Sequence, residues 1–408
     1  MKKVISFALV LALIFSLAAC GKKNSDIEVV KDYESQPASG DSEGGQNVAL
    51  NPTAAYDFKN GYAWISIESG GSNTYHLIDT SGKIVYTSTT ICSFHDMSND
   101  ACYIKERVDN NKYVYKIINK NGKVVASSAE GKFDEILAAG DNLFFVHKYE
   151  SSIDVSRHLY GTINEKGEFV NKLREYPYRY NLPSEQYTKY IGAKAFGLNS
   201  YSYIYMSSND TYFENTNTSP INIGNSLYII NKNGIQAEGS DTRYYSNDYE
   251  YVVIRSDGKI EKAPAFDEVI NGALVKKDRE KNSVSFTDPA TGKTATFSKY
   301  YPKYIGAAGN DNFLIQIAGK DGKYYYTVLD KNANMLFEPI AGTNANASDG
   351  RLVLASSDGY SVLDYTGKVI IPVGTYSSIR SFNSGIAWAK NSSDQYVGID
   401  INGKVVIS

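Results

Sequence analysis

A short phrase recurs along this chain: apolar residues, an Asp or Asn, two polar residues, a Gly, often a Lys, then apolar residues again. The first copy is Leu77-Ile78-Asp79-Thr80-Ser81-Gly82-Lys83-Ile84-Val85, and the last runs from Ile399 to Val406 around Asp400 and Gly403. Others turn at Gly122, Gly167, Gly234, Gly258 and Gly367. One copy, from Asp288 to Lys293, is a residue longer, and in the copy at Asp330 Asn334 stands where Gly is expected. A repeat of this kind is a supersecondary unit that cannot bury its own apolar face, so neighbouring copies must stack.

The phrase has the chemistry of a hairpin. An Asp or Asn side chain accepts hydrogen bonds from the backbone two residues on, and Gly takes the positive φ that closes the turn. Apolar runs on either side read as strands. A calcium loop would need a downstream bidentate Glu, which these copies lack. Four residues before the turn position there is usually a tyrosine: Tyr75, Tyr115, Tyr160, Tyr251, Tyr326, Tyr360 and Tyr396. Period two places each on the same strand face as the turn residue. A further strand precedes several copies, as in Gly61-Tyr62-Ala63-Trp64 and Gly385-Ile386-Ala387-Trp388. Each unit therefore reads as three strands in roughly 40 residues, and the chain as all-β. Spacing is irregular on either side of Gly234, so the expectation is a seven- or eight-bladed β-propeller, in which ring closure would remove exposed edges. An open solenoid or stack of meanders is the alternative. Trp64 and Trp388 occupy the same slot in the first and last units and become neighbours only if the ring closes.

Taken together, these units resemble the WG-repeat (KWG) family of bacterial proteins, over about residues 54–408. That unit runs Gly-apolar-Ala-apolar, then Trp-Gly-aromatic-Ile-Asp, two polar residues, Gly-Lys and a strand. Here the Trp slot holds Tyr in most copies and Leu227 in one, and the following Gly survives only at Gly161, against His76, Lys116, Ser361 and Val397. The resemblance implies a divergent extracytoplasmic interaction module with no family catalytic residues to carry over.

The N-terminus carries two Lys, an apolar run from Val4 to Leu17, and then Ala18-Ala19-Cys20-Gly21. The run is too short for a membrane span and suits an export signal. Leu17 to Cys20 resembles a bacterial lipobox, which implies cleavage before Cys20, a diacylglyceryl group on its thiol, and a lipid anchor on the extracytoplasmic membrane face. Residues 1–19 are then a signal peptide and 20–50 a flexible tether spanning roughly 30 Å. Residues 51–408 form the repeat domain, with a tyrosine-rich insertion at 171–225.

A net charge of −3 leaves no basic footprint for nucleic acid. Beyond Cys20 the chain has only Cys92 and Cys102. An exported pair at this spacing is expected to form a disulfide worth roughly 2–3 kcal/mol, with two free thiols as the alternative. There is no HExxH, GxSxG, Walker loop or strand-linked GxGxxG. His76, His95, His147 and His158 lack metal-ligand spacing; His147 and His158 flank a hairpin and can meet, but no carboxylate at useful spacing completes a site. No catalytic residue, metal or cofactor is therefore expected. Glycoside hydrolysis needs only two carboxylates, but the hairpins lack the Ser-x-Asp-x-Gly-x-x-Trp order of sialidases, and the arginines form no readable trio. The insertion offers the candidate binding residues, Tyr176, Tyr178, Tyr180, Tyr201, Tyr203 and Tyr205, since extended loops on a rigid scaffold carry recognition and tyrosine gives contact area at low entropy cost. The function expected is non-catalytic binding or scaffolding of an envelope protein. A carbohydrate-binding propeller and an envelope glycoside hydrolase are the alternatives.

Overall fold

The computed structural model describes residues 48–140, 143–153, 156–175, 186–188, 193–198, 201–206, 211–215, 221–222, 228–231, 235–236, 251–254 and 260–408. Among these residues the chain is all-β, built as nine antiparallel sheets. Eight sheets have four strands and the fourth has five; all follow chain order except that Ile235–Gln236, between the second and third strands of the fifth sheet, crosses to the edge of the fourth. The first sheet, for example, is Ala54–Ala55, Tyr62–Ser69, Ser72–Asp79 and Ile84–Ser88 in sequence order.

Two expectations are corrected. Units have four strands rather than three, because each opens on a further strand, which in the first and ninth sheets is only the pair Ala54–Ala55 or Ser378–Ile379. Two residues carry too little alternation to be legible. Among the described residues there are nine sheets rather than seven or eight, because the interval read as an insertion holds strands Gln186–Thr188, Ala193–Leu198, Tyr201–Met206 and Thr211–Asn215, which form most of the fourth sheet.

The repeated phrase forms the hairpin between the third and fourth strands. Asp79 Oδ1 accepts from the amides of Ser81 (2.9 Å) and Lys83 (3.1 Å), while the Gly82 amide donates to the Asp79 carbonyl at 2.9 Å. Asn119, Asn164, Asp330, Asp364 and Asp400 repeat the pattern. In the Asp330 turn the left-handed residue is Ala333 (φ 63°), so the glycine slot falls one residue before Asn334.

From the first sheet to the third and from the fifth to the ninth, neighbouring sheets pack face against face in chain order. Trp64 and Leu77 of the first meet Ile91, Met97, Ile104 and Ile118 of the second. Ala101 and Ile117 of the second meet Phe144, Val146 and Ile163 of the third. Similar cores join the fifth sheet to the sixth and so on through to the ninth. Neighbouring residues of one strand serve two junctions: Trp64 faces the second sheet, while Ala63 and Ile65 face the ninth. Burial on both faces is why these strands read as continuous apolar runs.

The ninth sheet packs on the first. Ile386, Trp388 and Ile407 share a core with Ala55, Phe58, Ala63, Ile65 and Ile78. Val48 pairs in parallel with Ile407 on the last strand; the Ser408 amide donates to the Val48 carbonyl at 2.9 Å. Trp388 Nε1 donates to the Tyr56 carbonyl at 2.8 Å, and Arg380 to the Ala55 carbonyl at 2.8 Å and Asp57 at 3.2 Å. The chain ends thus close a β-propeller-like ring, which sets aside the open solenoid.

Candidate functional site

Cys20, Tyr176, Tyr178 and Tyr180 lie outside the described residues. Tyr201, Tyr203 and Tyr205 fall on one central strand of the fourth sheet, in register with Leu198, Phe196 and Lys194; only this backbone placement is described. No helix among the described residues is long and apolar enough to cross a membrane.

Cys92 and Cys102 are both free thiols, so the expected disulfide is absent. Their two strands pair Ser93 with Lys105 and Phe94 with Ile104, which sets the cysteines several residues apart along the ladder. At about 3.3 Å per residue they exceed disulfide reach. Cys102 packs between the first and second sheets, and burial pushes its thiol well above the ordinary range, so it is inert.

The two histidines judged able to meet do so, and a carboxylate joins them. Glu135 Oε1 lies 2.8 Å from His147 Nδ1, and His147 Nε2 lies 2.8 Å from His158 Nδ1. The pairing of Glu135 with His147 across neighbouring strands brings the carboxylate in, a register invisible in linear spacing. The hydrogen bond with His147 holds the Glu135 carboxyl below its usual range against the opposing effect of burial. With ring centroids 5.0 Å apart and planes 11° apart, the imidazoles meet nearly end to end. Their nitrogens point at each other rather than at a shared point, which suits a hydrogen-bonded chain tying three strands. Among the described residues no group of three or more His, Cys, Asp or Glu could hold a metal ion.

A second feature lies on the neighbouring hairpin, Ala101–Asp109 with Lys112–Asn119. Lys105 Nζ stands 4.5 Å from the Tyr113 ring centroid and 5.4 Å from that of Tyr115, with the Arg107 guanidinium 5.9 Å from Tyr113. Val108 at the tip is 58 % exposed and Tyr113 38 %. On the opposite face, Glu106 is buried. Burial opposes its ionisation, but hydrogen bonds from Lys116, Ser88 and Tyr86 outweigh that and hold its carboxyl below the usual range. Lys116 therefore has a carboxylate partner, as do Lys120, Lys276, Lys299, Arg380 and Lys390. Lys105 and Arg107 lie over aromatic rings instead; Arg107 also bonds Tyr113 and Cys92, and Glu135 is the carboxylate whose charge reaches Lys105. Sequence reasoning missed this ridge because it looked for tyrosine density; the legible signal was alternation of Lys105 and Arg107 opposite Tyr113 and Tyr115.

No curated protein matches the chain. Solved structures similar to it include a eukaryotic initiation factor, at 12 % identity and TM-score 0.40, covering 84 % of this chain and 94 % of that one. An uncharacterized protein from Listeria monocytogenes EGD-e matches at 12 % identity and TM-score 0.36, covering 90 % and 98 %. The WD40 domain of Neurospora crassa Pan2 matches at 10 % identity and TM-score 0.31, covering 88 % and 91 %. Residues 360–393, from the eighth sheet into the ninth, match the family model described as WG containing repeat, so the chain carries a WG repeat within its β domain.

Proposed function

We propose that this chain is a lipid-anchored protein of the extracytoplasmic membrane face, whose repeat domain is a non-catalytic binding module for an envelope protein. The observation that carries the binding reading is the ridge on the second sheet, where a lysine and an arginine are held over tyrosine rings beside an exposed valine. Tyrosine and arginine are enriched where protein interfaces gain most of their energy. A closed ring of sheets suits such a role, since its rigid core leaves hairpin tips free to vary. The lipobox-like Leu17 to Cys20 supports the location, and two or more acyl chains on Cys20 would anchor stably where one would not.

The test mixes the purified full chain with isolated envelope glycans and with envelope protein extracts. Saturable capture of a defined protein, without glycan binding or cleavage, is the expected result. Turnover of any glycan would overturn the non-catalytic reading, and glycan binding without protein capture would favour the carbohydrate-binding alternative. Separately, Cys20→Ser is expected to move the protein from the membrane fraction to the medium. Continued membrane retention would refute lipid anchoring.

A further inference from the structure

We infer that the ridge formed by Lys105, Arg107, Val108 and Tyr113 is the docking surface for an acidic polypeptide segment of the partner, an inference that rests on the binding-module reading. The argument begins with charge. Most cations described above are neutralised by a carboxylate of this chain, whereas Lys105 and Arg107 have tyrosine rings for neighbours. A ring face attracts a cation and fixes its position, yet supplies no full negative charge. Two such cations, alternating on one strand, are preorganised for carboxylates arriving from outside. Of the nearby acidic groups, Glu135 is bonded by His147 and also acts on Lys105, while Asp109 at the tip accepts from the amide of Asn110 at 2.7 Å and faces Lys112 across the ladder.

The remaining features favour a peptide over a free anion. Val108 and Tyr113 expose apolar surface beside the charges, and Lys112 adds a cation at the tip. Strand alternation puts Lys105 and Arg107 on the side of Tyr103, which shares the core with the third sheet. The facing hairpin of that sheet places Lys148 on the side of Val146, with Glu150 at 3.7 Å as its partner. The ridge therefore lies on the side of its hairpin that faces the third sheet, where Lys105, Arg107 and Lys148 outnumber the one carboxylate, Glu150, on the facing strand. An extended segment mixing Glu or Asp with apolar residues complements both the charges and the apolar patch.

The test uses the full chain in non-ionic detergent with fluorescently labelled poly-L-glutamate, and polygalacturonate as the anionic glycan counterpart. Expected are saturable binding of poly-L-glutamate that weakens as salt rises, and a loss of about tenfold or more in Lys105→Gln/Arg107→Gln. Lys276→Gln/Lys390→Gln, which removes two paired cations elsewhere, should leave binding unchanged. Equal losses in both double variants, or no binding, would overturn the inference, and tighter binding of polygalacturonate would replace the peptide with a glycan. Should a defined protein still be captured undiminished by Lys105→Gln/Arg107→Gln, the ridge assignment fails while the module reading stands. If capture itself fails, the module reading falls.

Discussion

Gly122 shows how one residue of the repeat serves two purposes. Its φ of 78° closes the turn, and a Cβ there would clash with the Val85 carbonyl oxygen of the preceding sheet. Gly167 meets the Val125 carbonyl of the second sheet and Gly403 meets Ile371 of the eighth in the same way. The glycine thus permits both the turn and the close approach of the preceding sheet. At Gly292, in the longer hairpin, φ is 71° but a Cβ would meet nothing within 4 Å. Gly292→Ala should therefore cost about 1–2 kcal/mol for the left-handed backbone alone, and Gly122→Ala about 3–5 kcal/mol once the clash is added, read by urea unfolding. Charge at this scale predicts a pH response. The carboxyls of Glu135, Glu106, Asp330 and Asp364 are all held below their usual range. Such groups stabilise the fold above the unfolded carboxylate range of about 4, and the gain is lost as pH falls through their lower folded values. The unfolding midpoint should hold from pH 7 to about 5 and then fall, with the gap between parent and Glu135→Gln narrowing in acid. Turn chemistry was legible here because an Asp or Asn contacts backbone only two to four residues away. The second purpose of the glycine was not, because its contact lies in another unit.

Among the elements, the second strands of the first and ninth sheets each carry a tryptophan into a junction. Trp64 Nε1 donates to the His95 carbonyl of the second sheet at 3.2 Å, and Trp388 Nε1 to the Tyr56 carbonyl of the first at 2.8 Å. Equivalent slots thus perform equivalent work across successive junctions. Trp388→Ala should cost about 3–5 kcal/mol through the cavity it leaves, and Trp388→Phe only about 1–2 kcal/mol, mainly the lost hydrogen bond, both measured by chemical denaturation. The long strands were readable from apolar runs beside a turn signal. The short opening strands were not, nor was the meeting of Glu135 with His147, since both depend on pairing register. The Cys92–Cys102 disulfide failed for the same reason: a short separation in sequence became a long offset along the ladder.

Over the whole molecule, closure depends on the segment just before the first sheet. Val48, Leu50 and Asn51 all bond the last strand, so an early segment covers what would otherwise be an open edge. A chain lacking residues 1–51 should be about 4 kcal/mol less stable than one lacking residues 1–46, at roughly 1 kcal/mol for each of the four hydrogen bonds removed, and self-associate through the freed edge in size-exclusion chromatography.

The amino-acid sequence by itself determined the all-β class, the hairpin unit and the positions of its turns, because these follow from side-chain contacts within a few residues and from apolar runs. Only the tertiary structure decided the number of sheets, the closing of first on last, the glycine contacts between units and the company kept by Lys105, Arg107, His147 and His158. Those depend on which strands lie side by side and which sheets face each other, and such pairings join residues with no local signal of their meeting.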